Sequence, residues 1–217
     1  MFSGIIQSLG QVARIHRSEG RAEVTVRTGD DFTGFELGES IAVNGVCLTV
    51  RAAESNRFTV DLSGETLDRT GFKEIREGEA LNLERSLTRS QKVSGHFVSG
   101  HVDQVGTVVS IESRPGETLF RFEHPPELAP LIVEKGSVAV DGISLTAFAC
   151  EGNRFTVSII PFTLMHTNLK DRKIGDRVNI ECDIIGKYVL KACETILGTS
   201  RGDSGVSLDS LRKHGFL

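Results

Sequence analysis

The chain has 217 residues, 25% charged and 39% hydrophobic, with a formal net charge of -4 at pH 7. This length allows one large domain or two small ones, and the mildly acidic balance argues against nucleic acid as a main partner, which requires a clustered basic surface. No stretch approaches the ~18 uninterrupted apolar residues of a membrane span, and Met1 to Gly10 lacks the basic and apolar regions of an export signal.

Taken in chain order, the pattern is that of short strands. Ser40 to Val43 and Cys47 to Val50 flank Asn44-Gly45, a strong signal for a tight hairpin of type I′. Arg57 to Leu62 is rich in β-branched and aromatic residues and reads as the next strand. A helical turn is expected at Thr66 to Thr70 and a strand at Ala80 to Leu83. The series then repeats: Val138 to Val140, an Asp141-Gly142 turn, Ser144 to Thr146, Arg154 to Ile159, a helical turn at Thr163 to Asn168, and Arg177 to Ile180. After Gly186 the period changes. Tyr188, Val189, Ala192, Ile196 and Leu197 fall at helical spacing, with Gly198 as a cap. Ser200 to Val206 reads as a tail, and Asp209 to His214 as a further helical turn.

The two series are copies of one unit. Gly38 to Glu84 aligns without a gap on Lys135 to Glu181, and roughly two in five positions are identical. SIAVNGVCLTV lies over SVAVDGISLTA, ESNRFTV over EGNRFTV, and EGEALNLE over IGDRVNIE. Phe2 to Gly10 also matches Val98 to Gly106, one residue out of step with the rest. Such a long period suits tandem domains and not a solenoid. The copies are placed at 1–90 and 91–186, each a small closed β-barrel of about six short strands, with 187–217 as a terminal helix and tail.

Familiar catalytic signatures are missing: there is no G-x-S-x-G, P-loop or G-x-G-x-x-G, and the only tyrosine is Tyr188. No His/Cys spacing suggests a metal, and neither metal nor cofactor is expected. Cys47, Cys150, Cys182 and Cys193 are read as free thiols of a reducing compartment, the cytoplasm.

What remains is polar residues inside apolar strands, and the repeat shows which are additions. His101 stands where the first copy has Ile5, so the scaffold does not need it; histidine exchanges protons near neutral pH. Cys47 and Ser144 occupy one repeat position, each after a Gly turn, and Thr49 and Thr146 follow on the same strand face. Asp61 against Ser158 and Glu65 against Phe162 are differences of the same kind. His96 and Cys193 are weaker candidates: His96 reads equally as a solvated linker residue, and Cys193 as packing in the last helix.

MFSGII at the start, NGVCLTV, the Ser99-Gly100-His101 triplet, VDGISLT and IIPFTL, in order over residues 1–198, resemble the riboflavin synthase alpha-chain family. The resemblance implies an all-β fold of two tandem six-stranded Greek-key barrels plus a C-terminal α-helix that joins a homotrimer. It implies a site between the first barrel of one subunit and the second of a neighbour. Two molecules of 6,7-dimethyl-8-ribityllumazine would there exchange a four-carbon unit, giving riboflavin and a ribitylamino-pyrimidine. It leaves lumazine synthase open as a protein partner.

By the same resemblance His101, Ser144, Cys47, Thr146 and Asp183 form the catalytic set. Substrate contacts in the first copy map to Gly4, Ile5, Ile6, Cys47, Leu48, Thr49, Asp61, Leu62, Ser63, Gly64, Glu65 and Thr66. In the second they map to Gly100, His101, Val102, Lys135, Ser144, Leu145, Thr146, Ser158, Ile159, Ile160, Pro161, Phe162 and Thr163. Phe2, Ser40 and Asp141 match residues in or near the site. Phe162 departs from a pattern in which many members have a polar residue. Two rivals remain: a non-catalytic lumazine- or flavin-binding protein of the same fold, which would lose polar residues from the second copy, and a reductase-type flavin barrel, which needs an R-x-Y-S signature absent here.

Overall fold

The computed structural model describes residues 1–196. In the first copy six antiparallel strands close a barrel: β1 (Ser8–Ser18), β2 (Arg21–Arg27), β3 (Ser40–Val43), β4 (Val46–Glu54), β5 (Arg57–Leu62) and β6 (Ala80–Arg85). The order around the barrel is β1-β2-β5-β4-β3-β6. Three consecutive strands, β3 to β5, with β6 returning beside β3, make the Greek key. Alternation drives closure, because a strand sends successive side chains to opposite faces. Along β2, Ala22, Val24 and Val26 are buried while their neighbours are not. They meet Phe58, Val60, Leu62, Ile41, Val43, Leu81 and Leu83 in one core.

The second copy has β7 (Gln104–Arg114), β8 (Glu117–Glu123), β9 (Ser137–Val140), β10 (Ile143–Thr146), β11 (Phe148–Glu151), β12 (Arg154–Ile159) and β13 (Arg177–Cys182). Its order, β10-β9-β13-β7-β8-β12-β11, is that of the first copy with one strand divided. The six strands expected become seven because the counterpart of β4 breaks at Ala147. In the first copy the start of β4 pairs with β3 and its end with β5. In the second, β10 pairs with β9 and β11 with β12. The break accompanies Ala149, whose φ of 46° lies in the left-handed region, within an irregularity between Phe148 and Glu151. Phe122 lies 5.4 Å from Phe155 in the second core.

The first hairpin turn has the predicted type I′ form, and the second shares it. Asn44 and Gly45 have φ of 45° and 77°, and Asp141 and Gly142 have 45° and 80°, so all four residues take the positive φ that type I′ demands. The two turns abut, and a Cβ on Gly45 would lie 2.6 Å from the Gly142 nitrogen. Around them runs a hydrogen-bond network repeated about the seam. Asn82 Nδ2 donates to the Asp141 carbonyl (2.9 Å), and its counterpart Asn179 Nδ2 donates to the Asn44 carbonyl (2.8 Å). Asn82 Oδ1 accepts from Asn168 N (2.7 Å), and Asn179 Oδ1 from Gly71 N (2.8 Å). Buried amides satisfied on both ends fix one docking geometry, since a slip would orphan several polar groups together.

The helical turns differ slightly from expectation. The first is α1 (Gly64–Arg69), capped by Ser63, whose hydroxyl accepts from Thr66 N. The second is α2 (Pro161–Met165), with proline at its first position and a 3-10 turn at Asn168–Asp171 behind it. Met1–Ile184 forms one compact unit, and a second begins at Ile185. The terminal helix α3 (Ile184–Ile196) has no buried residue, and Ile185, Tyr188, Val189 and Ile196 are exposed along it. Leu197, the Gly198 cap, the tail at Ser200 to Val206 and the turn at Asp209 to His214 lie outside the described residues. No described helix is long and apolar enough to cross a membrane.

Candidate active site

The segments before β1 and β7 carry the two S-G motifs, and each is clamped by a glutamate of its own barrel. Glu84 Oε1 accepts from Ser3 N and Ser3 Oγ, both at 2.7 Å, and Oε2 from Gly4 N at 3.0 Å. Glu181 does the same for Ser99 and Gly100. Burial raises the Glu84 carboxyl above its ordinary range, and the hydrogen bonds from Ser3, Gly4 and Ile5 oppose that shift. Phe2 and Val98 then pair through their backbones and bury their side chains with Ala42 and Ala139.

The clamped segments cross over. The Gly4 carbonyl accepts from Ser144 N, and the Gly100 carbonyl accepts from Cys47 N, both at 2.8 Å. Ile6 packs on the second core and Val102 on the first. Gly4 and Ile6 therefore lie with Ser144, and Gly100 and Val102 with Cys47. The crossing needs glycine, since a Cβ on Gly4 would come within 2.6 Å of Ser144 Cβ. Ile5 and His101 are exposed beside these crossings.

A cleft of about 520 Å³ opens beside the Gly4–Ser144 crossing. It gathers eight of the residues expected there: Lys135, Ser144, Leu145, Thr146, Ser158, Ile159, Ile160 and Thr163. Lys135 has φ of 63°, where the first copy has Gly38 at 85°, so a charged side chain is kept in a conformation that disfavours it, as at many functional sites. Its ammonium lies 5.0 Å from the centre of the Phe148 ring. Phe148 and Glu117, whose carboxylate accepts from Ser158 Oγ, also line the cleft and were not expected from the sequence. The first copy has Arg51 and Arg21 at those positions, a contrast that gives the only sequence signal for them.

Other expected residues lie elsewhere. Asp141 sits in the seam between the barrels. Its carboxylate accepts from Asn179 N, Asn168 Nδ2 and Arg172 Nη2 at 2.8, 2.9 and 2.5 Å. Phe162 is 69% exposed and stacks on His166, with ring centres 4.1 Å apart, and neither it nor Pro161 lines the cleft. Leu48, Leu62 and Ile159 bury their side chains in the barrel cores. In the first barrel Ser40 pairs with Thr49, Cys47 is half-buried, and Thr49, Asp61 and Glu65 are exposed. Asp61 meets Arg51 Nε at 3.3 Å. Gly64 and Glu65 form the first turn of α1, beside Ser63 and Thr66. All four cysteines are thiols and none is in a disulfide.

The sequence gives little hint of His96. It is 8% exposed, and its Nδ1 lies 2.7 Å from Ser144 Oγ. Burial lowers its pKa from the ordinary 6.5, and the Asp183 carboxylate opposes that shift. The linker carries no periodicity to reveal this, and only Gly95 marks it: a Cβ there would strike Ser144 Oγ at 2.7 Å.

The lumazine binding domain family matches twice, at residues 3–86 and 99–183. The chain is 43% identical over 219 residues to the riboflavin synthase of Actinobacillus pleuropneumoniae, covering 100% of both. It is 39% identical over 191 residues to that of Bacillus subtilis (strain 168), covering 88% of this chain and 89% of the relative. Among solved structures, LumP complexed with riboflavin superposes with a TM-score of 0.79 at 22% identity, over 84% of this chain and 99% of that one. LumP complexed with 6,7-dimethyl-8-(1'-D-ribityl) lumazine superposes at 0.77 with the same identity and coverage. The chain therefore belongs to the riboflavin synthase family, built from two lumazine binding domains.

Proposed function

We propose that the chain is a riboflavin synthase that disproportionates two molecules of 6,7-dimethyl-8-ribityllumazine. One gives a four-carbon unit to the other, and the products are riboflavin and 5-amino-6-(D-ribitylamino)uracil. The observation that carries this reading is the pair of crossings, alike in backbone and different in side chain. Gly4 on Ser144 and Gly100 on Cys47 make two related sites, as a reaction between two copies of one molecule requires. Their unlike residues, Ser144 with His96 in one and Cys47 near His101 in the other, let one site hold a donor and the other an acceptor.

Holding two reactants in register supplies on the order of 7–11 kcal/mol of a bimolecular barrier. The remaining demands are proton exchange and a hydroxyl or thiol facing the ring, which His101, Ser144, Thr146, Cys47 and Asp183 provide. The polar residues of the second copy are intact, which favours turnover over simple binding. The working site forms between the first barrel of one subunit and the second of its neighbour, in a cytoplasmic homotrimer joined through α3. A lumazine synthase, as the source of the substrate, is the candidate protein partner. Incubation with the lumazine alone tests the reading: the riboflavin absorbance band should grow, and a bound lumazine spectrum that never changes would overturn it.

A further inference from the structure

Resting on the reading above, the contact between the linker and the second hairpin assigns one more role. We propose that His96 is the positioning residue of Ser144: its Nδ1 aims the hydroxyl into the cleft and takes its proton when Oγ meets the substrate. Three observations carry this. The 2.7 Å contact links a buried imidazole to a side chain on the cleft wall. Among the described residues His96 Nε2 is buried and has no hydrogen-bond partner, so the ring's hydrogen bonding is directed at Ser144. The contact is also held from both sides. His96 N donates to the Ser3 carbonyl at 3.2 Å, and Ser144 N donates to the Gly4 carbonyl at 2.8 Å. Ser3 and Gly4 are both held by Glu84, so imidazole and hydroxyl are fixed against one rigid segment.

The proton balance is simple. The Oγ–H bond breaks, its electron pair stays on Oγ, and an Nδ1–H bond forms. The charge of the Asp183 carboxylate favours the resulting imidazolium cation. Asp183 thereby acquires a function without touching the hydroxyl itself. Burial favours the neutral ring, the form able to accept. Of the groups packed near it, the Glu84 carboxyl is engaged by the Ser3–Gly4 segment, which leaves Asp183 as the charge that sets its titration.

The test compares His96→Ala, His96→Asn, Ser144→Ala and the His96→Ala/Ser144→Ala pair in the full chain. The Asn amide oxygen reaches the place of Nδ1 and does not titrate. In His96→Ala, riboflavin affinity, read by fluorescence, should stay within about threefold, while kcat falls by about 10²-fold or more, the scale of acid–base help. The double variant should be no slower than Ser144→Ala. His96→Asn should recover part of kcat and lose the fall in rate below pH 6.5. Full kcat in His96→Ala, additive losses in the double variant, or loss of riboflavin binding in step with kcat would overturn the proposal. A wild-type protein that makes no riboflavin would instead sink the functional reading. The proposal would still be tested by ¹⁵N resonances of labelled histidine, where Ser144→Ala must shift His96 Nδ1; an unmoved resonance would refute the contact.

Discussion

Two buried ionisable side chains hold the site together. Glu84 turns three donors of Ser3 and Gly4 toward one carboxylate. Glu84→Gln places an amide donor against one of those donors. The expected cost is about 1–3 kcal/mol, the penalty for an unsatisfied buried group, with a matching fall in the denaturation midpoint; an unchanged midpoint would show the clamp to be slack. His96 couples stability to pH. Its pKa is lowered in the folded protein, so the unfolded chain binds the extra proton. Its contribution is present above about pH 6.5 and is lost as pH falls through the folded value. The thermal midpoint should therefore drop below pH 6.5 more steeply in the wild type than in His96→Asn. His101 is exposed beside the other crossing and replaces an isoleucine, so His101→Gln should fold and bind product while losing about 10²–10⁴-fold in rate. A mutant with full rate would make it a bystander. His101 was legible because the repeat offers Ile5 for comparison. His96 was not, because no strand pattern passes through its linker and its partner is 48 residues away.

At the scale of the element, the hairpins were the most legible feature, since Asn-Gly and Asp-Gly state their backbone conformation locally. Strands β5 and β12 fall where β-branched and aromatic residues place them. Three things depended on distant partners and could not be read along the chain: the break at Ala147, the crossing of the S-G segments, and the amide network of Asn82 and Asn179. Each crossing draws on both copies of the repeat. The abutting turns give the sharpest test of that interlock. Gly142→Ala adds a Cβ 2.7 Å from the Gly45 nitrogen, at a φ of 80°. Neither turn can retreat without breaking the amide network, so a loss of about 1–3 kcal/mol is expected, of the size of backbone strain. Urea denaturation measures it, and a neutral substitution would mean that the barrels dock loosely.

For the whole molecule, the terminal helix is the element least explained by a single chain. Ile185, Tyr188, Val189 and Ile196 lie at helical spacing and are exposed, and such a stripe is stabilised only when covered. Cutting after Gly186 should give monomers by ultracentrifugation with little activity, because the proposed site is shared between subunits; a truncated protein that stays trimeric would refute that assembly. The account as a whole rests on one claim, that two related crossings join two copies of one substrate. The direct measurement is the mass balance of the reaction, run on purified protein after dialysis against a strong chelator. Lumazine alone should be consumed two molecules for each riboflavin formed, with one ribitylamino-pyrimidine released beside it. Riboflavin formed one for one with lumazine, or only after a metal or second substrate is added, would contradict the account.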